Sequence, residues 1–113
     1  MATLKRYCGR YLLDINNGLI KEYCGPYLYE VRDNMVKRYC GPYLYEIQGN
    51  MIKAYCGPYL FEFDGKMLKR YCGGYIAEVQ GNMIKEYCGP YLYQIDGSIS
   101  RNELMALLAI LFA

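Results

Sequence analysis

The sequence predicts a mainly β chain: an open antiparallel β-meander of about twelve six-residue strands, built from 16-residue tandem repeats and followed by one C-terminal α-helix. Three observations carry that prediction. Cys8, Cys24, Cys40, Cys56, Cys72 and Cys88 recur every 16 residues, each between a Tyr and a Gly, and a fixed period is the mark of a repeat architecture. Each repeat holds two turn signals eight residues apart. The chain then breaks the pattern in "SRNELMALLAILFA", where every residue from Leu104 to Ala113 is apolar.

The turns come first. One series is Gly9-Arg10, Gly25-Pro26, Gly41-Pro42, Gly57-Pro58, Gly73-Gly74 and Gly89-Pro90; the other is Asn17-Gly18, Asp33-Asn34, Gly49-Asn50, Gly65-Lys66 and Gly81-Asn82. Two-residue hairpin loops need positive φ at one or both central positions, which these residue types supply. Read as two-residue loops, they leave twelve strands between Thr3 and Asp96. In that register Glu46 faces Lys53 across one loop, and Lys53 faces Glu62 across the next. The row Lys5, Asp14, Lys21, Glu30, Lys37, Glu46, Lys53, Glu62, Lys69, Glu78, Lys85, Gln94 then alternates in sign until its neutral last member. Opposite charges across a strand pair contribute roughly 0.2–1 kcal/mol each. A β-solenoid of 16-residue coils would instead stack Lys on Lys and Glu on Glu, so the meander is the better reading.

Side chains alternate between the faces of a strand. One face carries the charge row. The other is aliphatic and aromatic, with Tyr29, Tyr45, Phe61 and Tyr93 in its middle row and Cys beside Tyr, and is the face expected to be buried. Its five charged positions are Arg6, Glu22, Arg38, Arg70 and Glu86, candidates for ion pairs across an interface or for an anionic ligand. In the tail, Ser100 and Glu103 form a capping-box signature ahead of good helix formers. Ten apolar residues are too few to span a bilayer, and a helix apolar all round wants burial all round. The domains are accordingly 1–98, the repeat meander, and 99–113, a capping and association helix.

Two-residue loops at both ends return every strand to the same level, so no stagger accumulates and a barrel does not close. An open twisted sheet about 50 Å across follows, at roughly 4.8 Å per strand. This plan, a single-layer sheet covered by a Lys/Glu ladder, resembles that of spirochaete outer-surface lipoproteins; the likeness is architectural and implies no activity. One short helix cannot cover the apolar face of such a sheet. The expected remedy is a homodimer or higher homo-oligomer, with Leu104, Leu107, Leu108 and Leu111 joining Tyr29, Tyr45, Phe61 and Tyr93 in the interface.

Composition narrows the chemistry. The chain has 113 residues, 54% of them hydrophobic, a net charge of +2, and fifteen Tyr but no His or Trp. Without His, the usual neutral-pH acid–base group and the commonest metal ligand are missing. The small charge argues against nucleic acid and anionic membranes. The Cys lie two strands apart in the meander, about 9.6 Å at the usual strand spacing, too far for disulfides, and no C-x-x-C pair suggests zinc. They read as small buried hydrophobes beside Tyr, in a cytoplasmic protein with reduced thiols. Glu30, Glu46, Glu62 and Glu78 each sit among Lys and are not raised toward a catalytic pKa. No catalytic, cofactor or metal residues are expected. The expectation is a non-enzymatic structural or protein-interaction module that self-associates, its partner being itself or another protein. The alternative is a small-molecule carrier with a Tyr-lined groove for an aromatic, apolar or sugar ligand.

Overall fold

A computed structural model of the chain describes all 113 residues. It contains β1 (Ala2–Arg6), β2 (Tyr11–Asn16), β3 (Leu19–Glu22), β4 (Tyr27–Arg32), β5 (Met35–Arg38), β6 (Tyr43–Gln48), β7 (Met51–Ala54), β8 (Tyr59–Phe63), β9 (Met67–Arg70), β10 (Tyr75–Gln80), β11 (Met83–Glu86), β12 (Tyr91–Gly97) and α1 (Arg101–Phe112). The mainly β class, the twelve antiparallel strands and the C-terminal helix agree with the sequence reading. The open sheet does not: β1 pairs with β12, Ala2 opposite Gly97 and Leu4 opposite Ile95, and the strands close into a barrel. The molecule is a disc of 36 × 35 × 18 Å rather than a sheet 50 Å wide.

The cause of closure lies in one of the two loop series. Across the Asn-Gly type loops the expected register holds: Glu46 faces Lys53 and Ile47 faces Ile52. The Lys–Lys stacking of a solenoid is therefore excluded. At the other end the loop is four residues, Tyr23-Cys24-Gly25-Pro26, not two. The Gly25 N–H donates to Glu22 O at 2.9 Å and the Glu22 N–H to Pro26 O at 3.0 Å. Cys24, not Gly25, takes the positive φ, at 56°, and the other five Cys do the same. Gly25 is there for a different reason: a Cβ on it would lie 2.9 Å from the Glu22 Cβ. Pro26 sits where no N–H is needed for the turn.

Two extra loop residues slide the next strand by two. Ile20 lies opposite Tyr29 of β4, whereas Val36, on the other side of β4, lies opposite Val31. The same step occurs at Tyr45 and Ile47, Phe61 and Phe63, Ala77 and Val79, Tyr93 and Ile95, and Leu13 and Ile15. Six such steps in one sense give a net stagger of twelve residues around twelve strands. Equal stagger and strand number tilt the strands by about 35° at the usual strand rise and spacing, which is the tilt that closed barrels need. A bulge beside each long loop, as between Ile52 and Lys53, absorbs the local twist.

A shift of two keeps side chains on their faces, so the aliphatic face expected to be buried lines the lumen. Leu4, Ile20, Val36, Ile52, Leu68 and Ile84 are all fully buried there. The exception is the Tyr of each bulge, as Tyr27, which was expected on that face and instead lies opposite Lys21 on the outer wall. The charge row is halved. Lys37–Glu30, Lys53–Glu46, Lys69–Glu62 and Lys85–Glu78 are ion pairs of 3.4–3.8 Å. The second set of pairs is lost, because Met51 faces Glu62 and Lys53 faces Tyr59.

The helix fills the lumen. Met105, Ala106, Leu107, Leu108 and Ala109 are each 0% exposed; five successive residues point in all directions, so the helix is surrounded on every side. Its first turn shows that it runs along the barrel axis. Arg101 bonds Gly49 O and Asn50 at the β6–β7 turn, Asn102 bonds Asp33 O and Asn34 at the β4–β5 turn, and Glu103 accepts from the Gly18 N–H at the β2–β3 turn. Three successive residues thus bond three neighbouring turns of the ring, which holds the start of the helix at that mouth. Twelve residues make about 18 Å of helix, equal to the 18 Å depth of the disc. Repeat and tail share one core of 19 buried residues, with no buried polar or charged side chain in it.

Candidate functional site

Closure and plugging leave two mouths and an outer wall. The turn mouth is where the helix begins. The mouth at the other end is edged by the six Tyr-Cys-Gly loops. The residues proposed as an interface, Leu104, Leu107, Leu108, Leu111, Tyr29, Tyr45, Phe61 and Tyr93, meet one another inside this one chain. Leu107, Leu108 and Phe61 are fully buried, and the others are partly buried against the same core. The sheet face and the helix cover each other, so neither needs a second copy to cover it.

The six Cys correct a second expectation. All are exposed and unpaired. The four-residue loop takes each out of the sheet and lifts it onto the rim. The Tyr that follows each long loop, in contrast, is brought against the Tyr that opens the neighbouring one. Tyr11 stacks on Tyr23 at 5.0 Å between ring centroids, and Tyr27 on Tyr39, Tyr43 on Tyr55, Tyr59 on Tyr71, Tyr75 on Tyr87 and Tyr7 on Tyr91 repeat the contact at 5.0–5.2 Å. These twelve rings are 39–52% exposed. Lys5, Lys21 and Lys37 place their Nζ over Tyr11, Tyr27 and Tyr43 at 5.6–6.0 Å, a cation–π distance. The adjacent thiols Cys56, Cys72 and Cys88 push the hydroxyls of Tyr55, Tyr71 and Tyr87 up, because a thiolate opposes a second negative charge, and desolvation adds to this. These hydroxyls stay protonated and are hydrogen-bonding groups, not bases.

Two carboxylates of the outer wall are held below their ordinary range. For Glu78 the chief cause is the hydrogen bond from Gln80, with Lys85 and Lys66 beside it outweighing desolvation. Glu46 is lowered in the same way by Gln48, then Lys53. An acid catalyst needs the opposite shift.

Arg6, Glu22, Arg38, Arg70 and Glu86 lie at the ends of their strands on the lumen side of the Cys mouth, all exposed. None makes a salt bridge, with its neighbours in the chain or with each other; the six ion pairs of the molecule use other residues. Tyr45, just below Arg38 and beside Tyr29, is pushed up by burial, then by Tyr29, against the pull of Arg38.

Hollows are few. A polar depression of about 580 Å³ lies at the turn mouth, between Met1, Asn17, Asp33, Ser98 and Asn102. On the outer wall, Asp14, Lys21 and Tyr27 edge a groove of about 180 Å³, and the equivalent Glu62, Lys69 and Tyr75 one of about 170 Å³. Comparison with protein-family models, with curated proteins and with solved structures gave no match.

The turn mouth has its own titrating link. Burial raises the Glu103 carboxyl, but the bonds it accepts from Ser100 and Gly18 outweigh this and leave it below the ordinary carboxylate value. A depressed folded-state pKa contributes stability above the unfolded value, lost as pH falls through the folded one. Glu103→Gln is therefore expected to lower stability at neutral pH and to flatten the acid limb below the ordinary carboxylate range. Urea midpoints measured against pH check both; an unchanged acid limb would remove Glu103 from the account.

Proposed function

We propose that the chain is a non-enzymatic structural or protein-interaction module that self-associates, and that its working surface is the Cys mouth and its rim. The observation that carries this is sixfold presentation. One loop design sets a half-exposed Tyr pair and an exposed thiol on the rim six times, around an interior already filled. Tyr is favoured in protein interfaces because it adds large contact area at low entropic cost. The Tyr-edged grooves of about 170–180 Å³ are smaller than the roughly 300–1,000 Å³ of small-molecule sites, which favours association over a carrier role.

The outer wall also speaks against a membrane. It carries the charge row while the lumen is apolar, the reverse of a membrane barrel. The strands of four to seven residues are shorter than the 9–11 needed to cross a bilayer. No helix is long and apolar enough to cross one either.

Light scattering at micromolar concentration should give a mass above the 13.1 kDa of one chain. Replacing one Tyr of each pair by Ser should weaken the association while leaving the far-ultraviolet circular dichroism intact. A monomer at every accessible concentration would overturn the proposal.

A further inference from the structure

The last residues of the odd-numbered strands are Arg6, Glu22, Arg38, Ala54, Arg70 and Glu86, the same position in six successive repeats. Around the Cys mouth the order is therefore Arg, Glu, Arg, Ala, Arg, Glu. Odd repeats carry Arg, and even repeats carry Glu or Ala. Ring neighbours stand two strands apart, about 9.6 Å at the usual strand spacing, and no ion pair joins them. On the outer wall of the same barrel, Lys and Glu sit on adjacent strands and do pair. The mouth thus holds exposed charges of both signs with no partner in their own chain. Inside the ring, Ile110, Leu111 and Phe112 end the helix partly exposed. An apolar centre within a charged rim is the anatomy of an interface.

We propose that this ring binds a second copy of the chain, mouth to mouth, about a two-fold axis perpendicular to the barrel. This rests on the reading of the Cys mouth as an association surface, and names the contacts that make it one. A two-fold axis lays one ring on the other in reversed order. If one odd repeat faces an even repeat, reversal makes every odd repeat face an even one. Arg6 then meets Glu22 of the second copy, Arg38 meets its Glu86, and Arg70 meets its Ala54, each contact occurring twice. The two other settings that join odd to even also pair all four Glu of the dimer with Arg. The three remaining settings put Arg on Arg or Glu on Glu. Alternation along the repeats therefore favours three of the six rotational settings over the other three, since like charges across an interface cost several kcal/mol. Arg10, the one charged residue of the six loops, adds a single positive charge at the edge.

Charge exchange tests this. One variant, Glu22→Arg with Glu86→Arg, makes the ring basic. The other, Arg6→Glu with Arg38→Glu and Arg70→Glu, makes it acidic apart from Arg10. All five side chains are exposed and unbonded, so both variants should keep the barrel's circular dichroism. In sedimentation experiments the intact chain should be a dimer that weakens with salt. Each variant alone should associate roughly a hundredfold more weakly, and an equimolar mixture should recover a one-to-one dimer. Should the acidic variant not fold, Glu22→Gln with Glu86→Gln serves, with weaker and less salt-sensitive dimerisation expected. An intact chain that is monomeric would overturn both this inference and the association reading. An intact dimer indifferent to all these changes would overturn the ring alone and leave the Tyr rim as the contact.

Discussion

Removal of residues 101–113 abolishes cooperative folding: the shortened chain is expected to show no sigmoidal urea transition. The reason is the all-round burial of Met105 to Ala109. Without the helix, the faces of Leu4, Ile20, Val36, Ile52, Leu68 and Ile84 would line a lumen about the width of a helix, and side chains from a closed wall cannot collapse across it. Point changes grade the effect. Leu107→Ala and Leu108→Ala should each cost about 2–5 kcal/mol, the range for buried Leu. Together they approach the whole 5–15 kcal/mol of a typical domain. Leu111→Ala, at a partly exposed position, should cost less. Circular dichroism against urea gives all three, and a truncated chain with the intact chain's transition would show that the wall holds itself.

Deleting Tyr39 and Cys40 should be far milder, although it turns a four-residue loop into a two-residue one. Gly41-Pro42 then joins Arg38 to Tyr43, and a two-residue loop there sets Val36 opposite Tyr45, where it already lies. The step from Tyr45 to Ile47 on β6 is kept, net stagger stays at twelve, and Leu4 still meets both Leu13 and Ile95. What is lost is the contact of Tyr39 with Tyr27 and the bond from the Tyr39 N–H to Leu28 O. The expected cost is about 1–3 kcal/mol, from one aromatic pair and one hydrogen bond. Tyr39→Ser with Cys40→Gly keeps the loop length and should cost about 1–2 kcal/mol through the lost ring stack and altered backbone entropy. Urea transitions of the two variants check this, and loss of the cooperative transition in the deletion alone would refute the account of the register.

That deletion also marks where reading the sequence stopped. Periodicity fixed the strand count, the buried face, half of the Lys–Glu pairs and the helix with its capping box, because each depends on residues near one another in the chain. The error was one of loop length. Gly-Pro matched a two-residue turn, and a Cys at positive φ has no propensity signal to announce it. Two residues of misreading leave the face of every side chain beyond the bulges unchanged and so leave the aliphatic pattern intact. Only in the sum around the molecule do they separate a flat sheet from a closed one. The Tyr pairs were hidden by the same step, since Tyr11 and Tyr23 become neighbours only when the loop between Glu22 and Tyr27 is long. A cue was present: the Tyr-Cys-Gly-Pro string is more uniform than a two-residue turn would require. The candidate ion-pair residues were identifiable as misfits on an apolar face, whereas their place around one mouth needed the barrel.

A tandem array has no natural number of units. Near-identical stretches of sixteen residues are easily gained or lost together, and nothing within a hairpin distinguishes the sixth copy from a fifth or a seventh. The helix supplies the count. Its girth matches the lumen of twelve strands, and Arg101, Asn102 and Glu103 each bond a different turn at one mouth. Five units would be too tight for it and seven too slack. The one segment that does not repeat is thus what gives a repetitive chain a definite length, and a lineage that changed the number of copies would have to change its plug as well.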